Sequence, residues 1–419
     1  MADVQPLRAL HYELRAAGQL GDLLCPPYDV IDAALRERLA ARSPYNAVHV
    51  DLPVGRDPYE EASELLQTWQ MHGALVRDRE PALWLLEQDY AAPGGDRRRR
   101  RGFLARVRIE DYGPGRIRPH ERTHPGPKED RLRLTRATRA NLSPIFALHS
   151  DPGGEVATVL DEATRDPAWG EATDDDGTVH RLWRLADADR VRAIQGAVEP
   201  AELLIADGHH RYETARVYAE EVGGEGEHRF VLMALVALED PGLTVFPTHR
   251  LVRGLDSERQ EALATVIRRD FEVSEVDRSQ ISPAASEGPL ELGYIDSHFK
   301  RPFRLRLRDQ AIADAALAGH SEPYRRLDAA VLEALLLKGA VGLSDEDISH
   351  LDGFGYARDE QEALALIDSG EYDAAFLLRP TPIEQVREVA AAGETMPPKS
   401  TYFFPKIPTG LVFNPLDEE

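Results

Sequence analysis

The run Asp207-Gly208-His209-His210-Arg211 places groups that bind anions and move protons in five consecutive residues. Gly208 permits a tight turn. Exposed N–H groups at a helix start, with the positive end of the helix dipole, attract phosphate or carboxylate. Arg211 adds a planar fork of donors suited to the same anions. A corner whose histidines merely cap the helix is the plainer alternative, but capping alone has no need of two histidines and an arginine together.

Four other polar turns gather reactive types. Arg118-Pro119-His120-Glu121-Arg122-Thr123-His124-Pro125-Gly126-Pro127-Lys128-Glu129-Asp130-Arg131 packs an acid, two histidines and several cations into fourteen residues, with prolines stiffening the backbone. Glu121 has the chemistry of a general base toward a hydroxyl; taken alone, the segment also reads as an exposed loop of mutually satisfied charges. Pro247-Thr248-His249-Arg250 is expected as a turn after a strand, and Lys399-Ser400-Thr401 resembles a phosphate grip in residue type. Pro26-Pro27-Tyr28-Asp29 is expected to shape a corner.

Several site classes are disfavoured. His120-Glu121-Arg122-Thr123-His124 matches the zinc-protease pattern, which needs a helix to bring both histidines to one face. Pro119 before it and Pro125-Gly126-Pro127 after it argue against that helix. No Gly-x-x-x-x-Gly precedes Lys399, no Gly-x-Ser-x-Gly elbow occurs, and no Gly-x-Gly-x-x-Gly follows a strand. His209 and His210 are adjacent and could share a metal only with ligands from elsewhere, so no metal site is assigned.

Composition narrows the class. In 419 residues, 42% hydrophobic and 29% charged residues are the balance of a globular protein with ample core. A net charge of −23 argues against nucleic acid as a partner. The single cysteine, Cys25, excludes an intrachain disulfide and a multi-thiolate metal site. No apolar stretch reads as a signal peptide or membrane span, so no membrane partner and a cytoplasmic location are expected. Of 50 basic residues only five are lysines: Lys128, Lys300, Lys338, Lys399 and Lys406. A chain that uses arginine as its ordinary surface cation gives Lys128 and Lys399, both in polar turns, added interest.

The elements that must position these groups read as mixed α/β (α+β). Helices are expected at 32–41, 59–72, 132–141, 155–166, 187–195, 257–270, 324–338, 359–369 and 382–392, the last with Thr381 as N-cap. Leu203–Ile205 precedes the central motif as a strand, and Ala215, Val217, Tyr218 and Val222 are the inward positions of the helix after it. Strands are expected at 47–52, 82–89, 102–109, 144–148, 180–185, 230–238, 244–246, 290–294, 303–307, 351–356 and 373–378. Arg97–Arg101 reads as a solvated hairpin loop. Three regions are expected: an N-terminal α/β region 1–110, a core 111–255 and a C-terminal α/β region 256–419.

The Asp207–Arg211 set with upstream Arg118-Pro119-His120-Glu121 resembles the free-serine kinase (SerK) branch of the ParB/sulfiredoxin superfamily. Nearly the whole chain resembles the domain-of-unknown-function family numbered one thousand and fifteen, through Pro26–Val30, Thr123–Arg131, Ala206–Ala215, Pro247–Arg250 and Met396–Lys406. The kinase resemblance implies a ParB/sulfiredoxin-like core with α/β extensions. It also implies Glu121 as catalytic base and Asp207, Gly208, His209, His210 and Arg211 as the phosphate-gripping loop, with His209 and His210 offsetting charge during transfer. Lys128 is added from residue type as a phosphate group, and His249, Arg250, Lys399, Ser400 and Thr401 as substrate groups. Sulfiredoxins need a cysteine where His209 stands, and ParB proteins a Gly-Glu-Arg-Arg loop that is absent here.

The function so implied is transfer of a phosphoryl group from ADP or ATP, with Mg²⁺ inferred, to the hydroxyl of free L-serine or a similar small metabolite. A nucleotide-binding regulatory protein without acceptor chemistry, and a phosphatase of a small phosphorylated metabolite, remain as alternatives.

Overall fold

The computed structural model describes residues 2–92, 95–121, 125–284 and 288–417, the side chains of 125–127 excepted. The fold is mixed α/β and divides into two compact units. The larger comprises residues 1–119, 123–244 and 405–419; the smaller comprises 120–122 and 245–404.

The larger unit is built on a sheet of nine strands among the described residues. Its path runs Ile117–Arg118, Leu203–Asp207, Ile145–His149, Phe230–Ala237, Arg97–Arg108, Leu83–Ala91, Val179–Leu185, Gly170–Thr173, and Val4–Gln5 pairs with Arg97–Arg108 off this path. Most neighbours are antiparallel; Leu203–Asp207 with Ile117–Arg118, and Phe230–Ala237 with Ile145–His149, are parallel. Alternate residues point to one face: Leu83 and Leu85, Phe103 and Ala105, Ile145 and Ala147, Leu203 and Ile205, Met233 and Leu235. Val156 and Leu160, and Val191, Ile194 and Val198, join them at helical spacing from Glu155–Ala163 and Ala188–Val198.

The smaller unit holds an antiparallel sheet in the order Phe271–Glu275, Phe303–Leu307, Glu291–Asp296, Ala374–Leu377, His249–Val252, Phe354–Ala357. Leu251, Ile295, Ala375 and Leu377 pack with Ala363 and Ile367 of the helix Glu360–Asp368.

Several sequence expectations are corrected. Ala47–Leu52 is not a strand: Val48–Asp51 is a helical turn, because Asn46 Oδ1 accepts from Val48 N at 2.9 Å and fixes a helix start. The helix expected at 132–141 runs Pro125–Thr138. Pro125 and Pro127, read as loop stiffeners, sit in its first turn, where a missing N–H costs no intrahelical bond.

Arg97–Arg101 is strand, not loop. Arg100 is buried there, stacked 4.6 Å from the Phe146 ring centre, and burial lowers its pKa to about 10. The helix at 324–338 is broken into Glu322–Arg325, Asp328–Leu332 and a π-helical turn Glu333–Lys338, with Leu327 extended between the first two. Pro382, not Thr381, is the N-cap of Ile383–Ala391; the Thr381 hydroxyl donates to Ser400 O at 3.0 Å. Val217 and Val222 face outward, whereas Ala215 and Tyr218 are buried as expected.

Candidate functional site

In the larger unit the strand Leu203–Asp207 leads directly into the helix His209–Val222 through Gly208. A register shift against Ile145–His149 between Ile205 and Asp207 bends the strand end and re-aims Asp207. Gly208 has φ +94, and a Cβ there would lie 3.0 Å from Arg211 Nε. Glycine is therefore favoured by the left-handed backbone, and a side chain there would also press on the arginine folded over it. Gly208, the N-cap, offers no side chain to cap the helix.

Arg211 donates through Nη2 to Asp207 Oδ2 at 2.7 Å and through Nη1 to the Pro144 carbonyl. Lys406 Nζ donates to Asp207 Oδ1. Burial alone would raise the Asp207 pKa; the charges of Lys406 and Arg211 outweigh it and hold the carboxyl below its ordinary range. The loop thus sets two cations against one carboxylate.

Nearby Arg131 donates to Asp51 O at 2.7 Å and to Asp130 Oδ2 at 2.6 Å, and stacks 4.5 Å from the Tyr28 ring centre. Asp51 is buried, which raises its pKa against the pull of Arg131 and Arg211. The Pro26–Asp29 corner thereby supplies a ring to this polar cluster. Lys128 lies on Pro125–Thr138, the helix packed along His209–Val222, and its carbonyl accepts from Thr214 Oγ1 at 3.5 Å. Cys25 is buried and its thiol pKa raised well above the ordinary value, first by burial and then by Asp51, so the thiol is inert.

In the smaller unit Glu121 forms a parallel bridge with Met396, and its Oε1 accepts from Lys399 N at 3.5 Å. His120, buried, meets Thr401 Oγ1 through Nε2 at 2.8 Å. Arg122 to His124 lie outside the described residues, so the second histidine of the zinc-like pattern does too.

His249 and Arg250 open the strand His249–Val252 instead of standing in a turn, and each is only 2% exposed. His249 Nδ1 accepts from Leu378 N at 3.2 Å, which requires a neutral ring at that nitrogen. Burial, with the charge of Arg250, lowers its pKa to about 4. Arg250 donates to three carbonyls: Thr248 at 2.8 Å, Lys399 at 3.1 Å and Pro398 at 3.0 Å. Ser400 is buried and donates to Pro397 O at 2.6 Å.

Lys399 is exposed, has φ +52, and holds its ammonium 5.3 Å from the Tyr356 ring centre. Arg250 lies 4.8 Å from the same centre.

Asp207, Gly208, His209, His210, Arg211 and Lys128 thus belong to the larger unit, and Glu121, His249, Arg250, Lys399, Ser400 and Thr401 to the smaller. Sequence reasoning passed over Lys406, although the scarcity of lysine that singled out Lys128 and Lys399 applied to it equally. Tyr356 had no local signal and comes in through a tertiary contact, whereas Arg131 closes the polar segment 118–131 without having been given a role.

The groups present do not fit Mg²⁺ held by the protein alone. Asp207 is already bound by two cations, and among the described residues no three His, Cys, Asp or Glu gather as a metal cage. Among the described residues no helix is long and apolar enough to cross a membrane.

No curated protein matches the chain. Among solved structures it is similar to a conserved hypothetical protein from Pyrococcus furiosus, at 17% identity, 70% coverage of this chain, 89% of that one and a TM-score of 0.36. A free serine kinase in complex with AMP is similar at 15% identity, with 68% and 83% coverage and a TM-score of 0.35. SbnI with C-terminal truncation, from Staphylococcus aureus, is similar at 13% identity, with 72% and 82% coverage and a TM-score of 0.36. The sequence segments that flank the loop and the Pro26–Asp29 corner fall within residues 4–330, where the chain matches the family described as "Protein of unknown function (DUF1015)", and over that majority of its length it belongs to this family.

Proposed function

We propose that the protein is a phosphotransferase that carries a phosphoryl group from ADP or ATP to the hydroxyl of free L-serine or a similar small metabolite. One observation carries the reading: a bulged strand ends at Asp207, turns on Gly208 and opens a helix with no side-chain cap, beside two cations and one carboxylate. A helix start of this kind beside cations supports the reading as an anion site.

The helix N-terminus with His209 and His210 takes the phosphates, Lys128 adds charge from the neighbouring helix, and Arg211 and Lys406 fix the loop through Asp207. Glu121 has the general-base role. The acceptor oxygen attacks the terminal phosphorus and a new P–O bond forms. The bond from that phosphorus to the bridging oxygen breaks, AMP or ADP leaves with the electron pair, and Glu121 takes the hydroxyl proton. The 399–401 turn and the buried His249–Arg250 pair serve the acceptor side. Any Mg²⁺ comes with the nucleotide.

The test is ³¹P NMR of the full chain with Mg²⁺, ADP or ATP, and L-serine, beside Glu121→Gln. Phosphoserine is expected from wild type. Glu121→Gln is expected to lower turnover by roughly 10²- to 10⁴-fold with nucleotide affinity retained. Free phosphate as the sole product points to a hydrolase. Nucleotide binding with no product points to a regulatory protein.

A further inference from the structure

Arg100, Gln88 and His180 stand directly opposite one another on three neighbouring strands of the larger unit's sheet, and all three are buried. The next such row holds no polar side chain: Gly102, Leu86 and Leu182. A buried polar row carries a desolvation cost that apolar side chains do not, and that cost is offset only where its members are bonded. Here the bonds lead to the tail of the chain.

The Gln88 amide can face only one way. Its Oε1 accepts from Arg100 Nε at 3.1 Å and Nη2 at 2.5 Å, and its Nε2 donates to Lys406 O at 3.1 Å. A guanidinium only donates and a carbonyl only accepts, so a flipped amide would lose all three bonds. His180 Nδ1 accepts from the same Nε2 at 3.1 Å, and His180 Nε2 donates to Asp174 Oδ2 at 2.9 Å, which anchors the far end of the row. Arg100 Nη2 also donates to Pro405 O. Two consecutive carbonyls are thereby gripped where the chain returns to the larger unit.

The grip matters because of where Lys406 leads. Its Nζ donates to Asp207 Oδ1. Among the described residues, main-chain pairing of the tail resumes at Thr409, which exchanges two hydrogen bonds with Cys25. The backbone at Lys406 is thus seated by side chains of the sheet. The Arg100 guanidinium also lies 4.6 Å from the ring centre of Phe146, the register partner of Asp207. One buried arginine meets both the residue before the lysine and the residue across from its carboxylate. With Lys406 in place, two cations face one carboxylate in the loop; without it, Arg211 and Asp207 cancel.

Resting on the phosphotransferase reading, we propose that Arg100 and Gln88 are positioning residues of the phosphate loop: by gripping the Pro405 and Lys406 carbonyls they hold Lys406 on Asp207, and so set the loop's charge toward a nucleotide. They act through Lys406, not on the nucleotide.

The experiment is titration calorimetry of the full chain with Mg²⁺ and ADP, and with Mg²⁺ and ATP. Wild type is compared with Lys406→Met, Arg100→Met and Gln88→Glu, and with Lys406→Met combined with each of the other two, with thermal melting of all. Lys406→Met is expected to weaken nucleotide binding about tenfold or more, as the loss of one cation beside an anion. Arg100→Met offers an apolar chain of similar length and is expected to fold, with binding about fivefold weaker, the worth of one hydrogen bond. Gln88→Glu still accepts from Arg100 but sets an oxygen against the Lys406 carbonyl, so it is expected to weaken binding by about the same factor. Neither change is expected to weaken binding further once Lys406 is Met.

A sheet merely loosened by these changes would lose affinity in either background. A further loss in Lys406→Met therefore overturns the positioning role, as does wild-type affinity in Lys406→Met, or in folded Arg100→Met and Gln88→Glu. Gln88→Glu decides alone where Arg100→Met does not fold. Each of these results leaves nucleotide binding and the phosphotransferase reading standing. A wild-type protein that binds neither nucleotide overturns both.

Discussion

The Gly208 and Lys399 turns both sit at positive φ, +94 and +52, and an arginine folds back on each. They differ in how that arginine is satisfied. Arg211 pairs with the Asp207 carboxylate, shared with Lys406, whereas Arg250 is buried on three peptide carbonyls. The first turn is held by full charges and is sensitive to removal of any one of them. The second has its arginine seated on peptide dipoles in a dry setting, with the Glu121 carboxylate accepting from the Lys399 amide beside it. The charge of the first arginine is neutralised within its own turn, whereas that of the second is left to the carboxylates around it, Glu333 and Glu121.

Removing the anion from the first turn has the largest expected effect. Asp207→Ala leaves Lys406 and Arg211 facing each other without their carboxylate and is expected to cost about 3–5 kcal/mol in urea unfolding. Arg250→Met, which substitutes an apolar chain for a carbonyl-bound guanidinium, is expected to cost less. Equal costs would break the contrast between charge-held and dipole-held turns.

Acid separates the two regions next. The native His249 ring resists protonation until about pH 4, while an unfolded histidine takes a proton below about 6.5. Below that upper value the unfolded state binds more protons, so stability is complete above it and falls as pH drops toward 4, by about 3 kcal/mol in all. Asp207 behaves differently. Its pKa is lowered, so its contribution is full above the ordinary value of 3.8 and is lost only as pH falls through the still lower native value. The strand His249–Val252 is therefore expected to loosen before the Asp207 loop on acidification, as hydrogen exchange at pH 5 against pH 7 would report; buried His149 in the larger unit is shifted the same way as His249. His249→Asn is expected to remove that slope; an unchanged slope would place the sensitive group elsewhere.

Gly208→Ala has a smaller effect, about 1–2 kcal/mol, from the left-handed backbone and the Arg211 contact at 3.0 Å. It should also weaken nucleotide binding as measured by calorimetry. A neutral result would mean that Arg211 leaves the loop readily and that the charge clamp is looser than its geometry.

What was legible in the sequence follows how local each cause was. Asp207-Gly208-His209 could be read because a strand, a glycine and a helix start are consecutive, and Leu203 and Ile205 do alternate inward. Asp32 caps its helix as its residue type suggests, accepting from Leu35 N at 2.7 Å. Val48–Asp51 was misread because alternation of Val48 and Val50 also fits one buried helical turn, and Asn46, not the apolar pattern, decides between them. The arginine run was misread because Arg100 is paid for by partners far off in sequence: Phe146, Gln88 and the Pro405 carbonyl. Arg250 was expected in a turn, and only its strand and the carbonyls of Pro398 and Lys399 show how it is seated. For Arg100 and Arg250 the missing information includes contacts with the Pro405 and Lys399 carbonyls, far outside any local window, whereas Asn46 stands two residues from Val48 and its signal was local but outweighed by the apolar alternation.

The return of residues 405–417 to the larger unit has a consequence in time. Thr409 pairs with Cys25, Phe413 with Leu10 and Asn414 with Asn141, while Lys406 reaches Asp207. The stretch 245–404 is made between Asp207 and that lysine. At ~5–20 residues per second of synthesis, this holds Lys406 back by roughly ten to forty seconds. Until then Asp207 has Arg211 but lacks its second cation, so a growing chain carries the loop's backbone before it carries the loop's charge. The larger unit is thereby kept electrically unfinished on the ribosome, and its competence for anions is expected to arrive only when the chain has been made through these late residues.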